Sequence, residues 1–171
     1  TLYTNDGSGD LSSAFSDAGA NLTAVENSAS IAADLVGSDA PDLLVTGTTS
    51  GSFSDATAIL YENDGSGTFS AVNASFTGFV GTVDVGDVDA DGDLDVALSG
   101  ANGSSDGVAL YTNDGSGSFS LFDAGVEAKN GLAAWGDSDG NGYDDLFVTG
   151  QDDDFNQRAS LYQSLEPGTE P

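Results

Sequence analysis

The chain contains no cysteine and no histidine, and among its 171 residues only Lys129 and Arg158 are basic. Without cysteine no disulfide supports the fold. Without histidine or cysteine the Ser-His and Cys-His triads of nucleophilic catalysis cannot be assembled. Two basic residues leave phosphate chemistry without cationic support, and a formal charge of -27 excludes nucleic acid and anionic membrane surfaces as electrostatic partners. No run of 18 apolar residues exists, so no membrane-inserted helix is expected. Thr1 is not an initiator methionine and opens no signal-peptide pattern, so the chain reads as a mature or trimmed product.

What the chain has instead is aspartate, 24 residues against 5 glutamates. Glutamate is the better helix former, so this bias points to turns and metal loops. A surface this acidic suits a saline setting such as that of a marine microbe. A single domain with a sizeable core is within reach of the length.

The acid is patterned. In Gly86-Asp87-Val88-Asp89-Ala90-Asp91-Gly92-Asp93-Leu94-Asp95, carboxylates stand at loop positions 1, 3, 5, 7 and 9, with a turn glycine at 6. A calcium ion takes six to eight oxygens, and alternate residues of a tight turn can aim theirs at one point. Asp87, Asp89 and Asp91 are expected to give side-chain oxygens, Asp93 its backbone carbonyl, and Asp95 to close the cage. Position 12 is Leu98 rather than glutamate, and the flanks carry no helical period, so this is a loop between strands and not an EF-hand. The device returns fifty residues later with Asp137, Asp139, Asn141, Tyr143 (through its carbonyl) and Asp145 in the same places. In a third copy, residues 34–42, only ligand positions 1 and 9 keep an acid, Asp34 and Asp42, and Asp39 stands where the turn glycine would, so the site is expected to be lost or weak.

A second pattern runs in step with the first. Leu60-Tyr61-Glu62-Asn63-Asp64-Gly65-Ser66-Gly67 and Leu110-Tyr111-Thr112-Asn113-Asp114-Gly115-Ser116-Gly117 repeat residues 2–9, and Leu161-Tyr162-Gln163-Ser164 is a worn copy. Each Asn-Asp-Gly-Ser-Gly is a hairpin signal whose aspartate serves the turn. A period near fifty signals a propeller or solenoid. The expected architecture is all-β, in propeller-type blades of four antiparallel strands with the calcium loop between strands 1 and 2. One unit is written as strands at 82–86, 94–99, 107–113 and 118–122. Residues 1–24 supply the last two strands of a blade, 25–74 a blade with the degenerate loop, and 75–126 a blade with the intact loop. Residues 127–165 make a blade lacking its last strand, and 166–171 a tail.

Trp135, Phe53, Phe76, Phe79, Phe147 and Phe155 are read as packing between blades. Sequons at Asn21, Asn73 and Asn102 permit glycosylation if the chain is secreted through such a pathway. Asp152-Asp153-Asp154 is read as a solvated acidic turn rather than a further cation site.

The loop at 86–95 with Val96-Ala97-Leu98-Ser99-Gly100 behind it, followed by Leu110-Tyr111 and Asn113-Asp114-Gly115-Ser116-Gly117-Ser118-Phe119, resembles the FG-GAP and VCBS repeat family. That resemblance implies a calcium-stabilised β-propeller module for binding and adhesion, expected to be extracellular or on the cell surface, with a protein or glycan ligand on one propeller face; the lack of histidine and cysteine and the scarcity of basic residues argue against catalysis. Carboxylate-only glycoside hydrolysis is the one enzymatic chemistry the composition leaves open. The loops joining strands 2 and 3, at 47–55, 100–106 and 150–156, differ between copies and are the candidate ligand contacts. The blade count is low for a propeller, and both termini fall mid-blade. Closure within the chain, a longer propeller, and self-association through open edges into a homopolymer or filament all follow as options.

Overall fold

The computed structural model describes residues 2–5, 7, 15–37, 39–104, 106–122, 126 and 128–164. Among these residues thirteen strands form a hairpin and three sheets, and every pairing is antiparallel between chain neighbours. The hairpin is β1 (Tyr3–Asn5) with β2 (Phe15–Asp17). The first sheet is β3 (Glu26–Ala33), β4 (Asp42–Thr48), β5 (Ala56–Asn63) and β6 (Phe69–Val72). The middle sheet is β7 (Val80–Gly86), β8 (Asp95–Ala101), β9 (Asp106–Asn113) and β10 (Phe119–Phe122). The third has three strands, β11 (Lys129–Gly136), β12 (Asp145–Gln151) and β13 (Gln157–Tyr162). The only helical segment among the described residues is one 3-10 turn, Phe53–Asp55. The all-β, antiparallel architecture read from the repeats is therefore present.

Period-two alternation places two cores on the two faces of the middle sheet. Val96 and Leu98 of β8, with Ala109 and Tyr111 of β9, meet Leu44 and Leu60 of the first sheet. The intervening Ala97 and Leu110 meet Ala133, Leu146 and Val148 of the third. Each fully buried aliphatic side chain of this kind contributes about 1.5–3 kcal/mol, so the sheets are held mainly by these faces.

Polar hooks fix how the sheets meet. The Thr46 hydroxyl of β4 donates to the Phe79 carbonyl ahead of β7, and the Ser99 hydroxyl of β8 accepts from the Ala133 amide at 3.2 Å. Next to each hydroxyl stands a glycine, Gly47 or Gly100, and the third sheet repeats the pair as Thr149-Gly150. A Cβ at Gly47 or Gly150 would lie 2.9 Å from the carbonyl oxygen of Glu26 or Lys129, so the first strand of each sheet can cross closely only over a glycine.

Two expectations are corrected. Phe76 does pack, edge-on to Tyr111 at 4.9 Å and beside Phe119 at 4.8 Å, and Phe79 is buried. Phe53, Phe147 and Phe155 are not packed; they are 50%, 46% and 70% exposed. Phe53 and Phe155 lie on strand 2 to strand 3 connections, and Phe147 sits on the face of β12 turned away from the middle sheet. In the acidic turn Asp153 and Asp154 are exposed, but Asp152 is not. Its carboxylate is buried, accepts from the Asn156 amide at 2.9 Å, and pairs with Arg158 at 2.8 Å. The turn of residues 5–9 falls partly, and the tail from 165 wholly, outside the described residues.

Candidate metal-binding loops

The two acidic loops open between the first two strands of the middle and third sheets and share one backbone path. At position 1, the Asp87 carboxylate accepts from the amides of Asp91 and Gly92, each at 3.1 Å. Asp137 accepts likewise from Gly140 at 2.7 Å, Asn141 at 3.1 Å and Gly142 at 3.0 Å. A chain folded this sharply needs left-handed backbone at positions 4 and 6. Gly92 and Gly142 supply it at position 6 with φ of 95° and 89°, and Gly140 at position 4 with φ of 79°. Ala90 takes the same turn at position 4 with φ of 59°, a strained conformation for a residue with a Cβ.

Position 9 begins the second strand and is buried in all three sheets, as Asp42, Asp95 and Asp145. Its role is the same each time. One oxygen accepts from the amide of position 2, Leu35 at 2.9 Å, Val88 at 2.8 Å or Ser138 at 3.0 Å. The other accepts from an amide at the end of the third strand, Asn63 at 2.8 Å or Asn113 at 2.8 Å, or two residues past it, Ser164 at 2.9 Å. These bonds tie the loop to the hairpin that follows and aim positions 1 and 3 across its mouth.

Of the ten predicted ligands, the fold gathers six. Asp87, Asp89 and Asp95 bring one oxygen each within 4.8 Å of one another, and so do Asp137, Asp139 and Asp145. Two oxygens bound at about 2.4 Å to one ion lie at most about 4.8 Å apart, so both trios fit a cation of calcium's size and hardness. Asp91 stands outside the trios and its side chain accepts from the Asp93 amide at 2.9 Å, as that of Asn141, at the same loop position, accepts from the Tyr143 amide at 2.8 Å. Asp93 and Tyr143 were assigned through backbone carbonyls, and neither side chain joins a trio.

The electrostatics of the two loops differ. Burial holds Asp95 above the ordinary carboxylate range against the pull of its two amide donors. Desolvation, and then the charge of Asp91, does the same to Asp89. In the other loop Asp145 is held below that range, foremost by the hydroxyl of Ser138, which occupies the place of Val88 and donates to the same oxygen as its own amide. Crowded acids with raised pKa values are groups whose charged form a bound cation would stabilise.

Two carboxylates that loop spacing did not single out also position the site. Asp144 accepts from the Asp87 amide at 3.1 Å, and Asp84 from the Trp135 amide at 2.8 Å, so the middle and third sheets exchange one bond each way beside the loops. Their only signal was acidity at an even loop position or inside a strand.

These features define a β-rich repeat protein with acidic turns able to hold a metal ion. Residues 87–148, from the first ligand position of one loop through the whole of the other, match the family model described as an FG-GAP-like repeat. That stretch of the chain is similar to an FG-GAP-like repeat, as its loops suggested. No curated protein and no solved structure matches the chain.

Proposed function

We propose that this is an extracellular, calcium-stabilised module of propeller-type blades that binds a protein or glycan ligand and serves adhesion. The observation that carries the reading is the pair of carboxylate trios at the same loop positions of adjacent sheets, inside a span that matches an FG-GAP-like repeat. In this reading Asp87, Asp89, Asp91 and Asp95 with the Asp93 carbonyl hold one calcium ion. Asp137, Asp139, Asn141 and Asp145 with the Tyr143 carbonyl hold another. The ions are structural, and Asp34 with Asp42 is left without a site because position 3 is Val36, turned into the core.

Ligand contact falls to the opposite ends of the strands. The connections between second and third strands there carry Phe53 and Phe155, both largely exposed, and Phe155 lies 5.7 Å from the Lys129 ammonium. Exposed aromatics on short connections are suited to stacking on sugar rings or anchoring in a protein pocket. The lack of histidine and cysteine supports a binding rather than a catalytic role.

Two measurements test this. Calorimetric titration with calcium should give two sites in the wild type and one in Asp89→Ala; heat absent from the wild type refutes the metal reading. A glycan array and a surface-protein panel, run in calcium, should yield a ligand whose binding falls in Phe53→Ala or Phe155→Ala. Hydrolysis of any polysaccharide in the same panel would overturn the non-catalytic assignment.

A further inference from the structure

The joint between the middle and third sheets differs from the joint before it in what lies beside the loops. Trp135, just ahead of the third sheet's loop, donates its amide to the Asp84 carboxylate at 2.8 Å, and Asp144, at loop position 8, accepts from the Asp87 amide at 3.1 Å. Both ends of the later loop therefore hold the chain where it enters the earlier one. Gly86 lets them come this close, since a Cβ there would lie 2.7 Å from Asp144 Oδ2 and 2.8 Å from Trp135 Cβ. In the joint between the first and middle sheets the matching places hold Ile31 for Asp84, Val85 for Trp135 and Leu94 for Asp144, and all three pack against the first core. Neither Ile31 nor Leu94 can accept a hydrogen bond. The joint between two loops with acidic trios is thus polar, and the joint whose earlier loop has no trio is apolar.

Each end of the Asp144 link lies in a metal loop. Asp87 is the first member of its trio; the amides of Asp91 and Gly92 aim its carboxylate, and Asp144 holds its main chain. Asp144 stands between Tyr143, whose carbonyl is assigned to the other ion, and Asp145, whose buried carboxylate belongs to the other trio. An ion that fixes residues 143 and 145 therefore fixes the main chain from which the Asp144 side chain reaches Asp87.

We infer that Asp144 is a positioning residue that couples the two loops, so that calcium in the loop of residues 137–145 raises the affinity of the loop of residues 87–95. The inference rests on the metal reading proposed above and adds to it the sign and the route of the coupling. Fixing Asp144 removes freedom from Asp87 before its own ion arrives, and a pre-organised loop loses less entropy on binding. By linkage the effect is reciprocal. Direct repulsion between two dications works the other way and fades as salt screens it. Positive coupling is therefore a signature that charge alone does not produce.

The test is a calcium titration of the full chain, followed by NMR at the Gly92 and Gly142 amides, one in each loop. The affinity reported by Gly92 should be at least about fivefold weaker in Asp139→Ala than in the wild type, and that reported by Gly142 should fall by the same factor in Asp89→Ala. In Asp144→Leu, which copies the apolar joint, adding Asp139→Ala should change the Gly92 affinity by less than about twofold. Asp144→Asn keeps an acceptor oxygen without the charge, and should lower both affinities while retaining the coupling. Circular dichroism checks the fold, and Asp144→Ala replaces Asp144→Leu if the latter does not fold. One readout needs no change at residue 144: in Asp89→Ala, calcium in the remaining loop should shift the Asp87 amide resonance, and an unmoved resonance overturns the inference. A wild type in which neither glycine amide responds to calcium overturns the metal reading and the inference with it. Two responding loops that are independent, or that weaken each other, overturn the coupling alone. A coupling undiminished in Asp144→Leu or Asp144→Ala overturns the role of Asp144.

Discussion

The loop of residues 34–42 and the loop of residues 87–95 occupy the same place in successive sheets and share a buried aspartate at position 9 with the same two kinds of backbone partner. At position 3 they part: Asp89 turns outward into an acidic trio, whereas Val36 turns inward and packs in the first core. Asp42 even gains a third amide, that of Val36 at 2.7 Å. The position 9 carboxylate is thus a strand-pairing device that persists where the acidic trio is gone, and positions 1 and 3 give the other two loops their capacity for a cation.

The largest expected effect comes from removing the shared feature. In Asp42→Ala three amides lose their acceptor inside the protein. At about 1–3 kcal/mol for each buried unsatisfied group, a loss of at least about 3 kcal/mol is expected. Urea unfolding should give the same loss with calcium and with chelator. A loss that calcium rescues would break the distinction between the two loops.

Metal removal should come next. Calcium at a hundredfold over its dissociation constant adds about 2.7 kcal/mol per filled site. Chelation should therefore lower the melting temperature of the wild type, and less so in Asp89→Ala. Val36→Ala, by contrast, should lower stability equally with and without calcium. A wild-type melting temperature that does not respond to chelator would leave the acidic loops no more than turns.

Smaller effects sharpen the comparison between the two acidic loops. Ala90→Gly relieves left-handed strain and should stabilise by about 1 kcal/mol, while Gly140→Ala should cost about as much. Denaturant melts in chelator read this directly, and a neutral Ala90→Gly would show that the strain is absorbed elsewhere.

Asp152, a buried turn carboxylate at the opposite end of the third sheet, provides a control outside the loops. The Asn156 amides, foremost the backbone one, and then Arg158 hold its pKa down to about 2. A depressed folded-state pKa contributes stability that is complete above the unfolded value of about 3.9 and is lost as pH falls through about 2. Asp152→Asn should therefore melt lower than the wild type near neutrality and converge with it in strong acid. A gap that persists below pH 2 would mean that shape rather than charge sustains this turn.

Much of this was legible before the fold. Leu-Tyr followed by Asn-Asp-Gly-Ser-Gly marked β5, β9 and their hairpins because turn chemistry and period-two burial are local properties. The trios were legible for the same reason, since Asp87 and Asp89 are set by the geometry of one turn. What local pattern does not encode is which face of a strand is covered. Phe147 and Phe76 look alike as residues, yet Phe76 lies between two sheets and Phe147 on the last one. Asp152 looked solvated because its partner Arg158 comes from the following strand.

Composition, loop spacing and repeat length by themselves determined an acidic, all-β chain with two oxygen-rich turns, because each depends on residues within a few positions of one another. The tertiary structure alone decided that Asp42 shares the buried role of Asp95 and Asp145, that Asp84 and Asp144 link the middle and third sheets, and that one apolar face remains open. Those outcomes depend on contacts between residues dozens of positions apart, and only the stacking of the sheets brings such residues together.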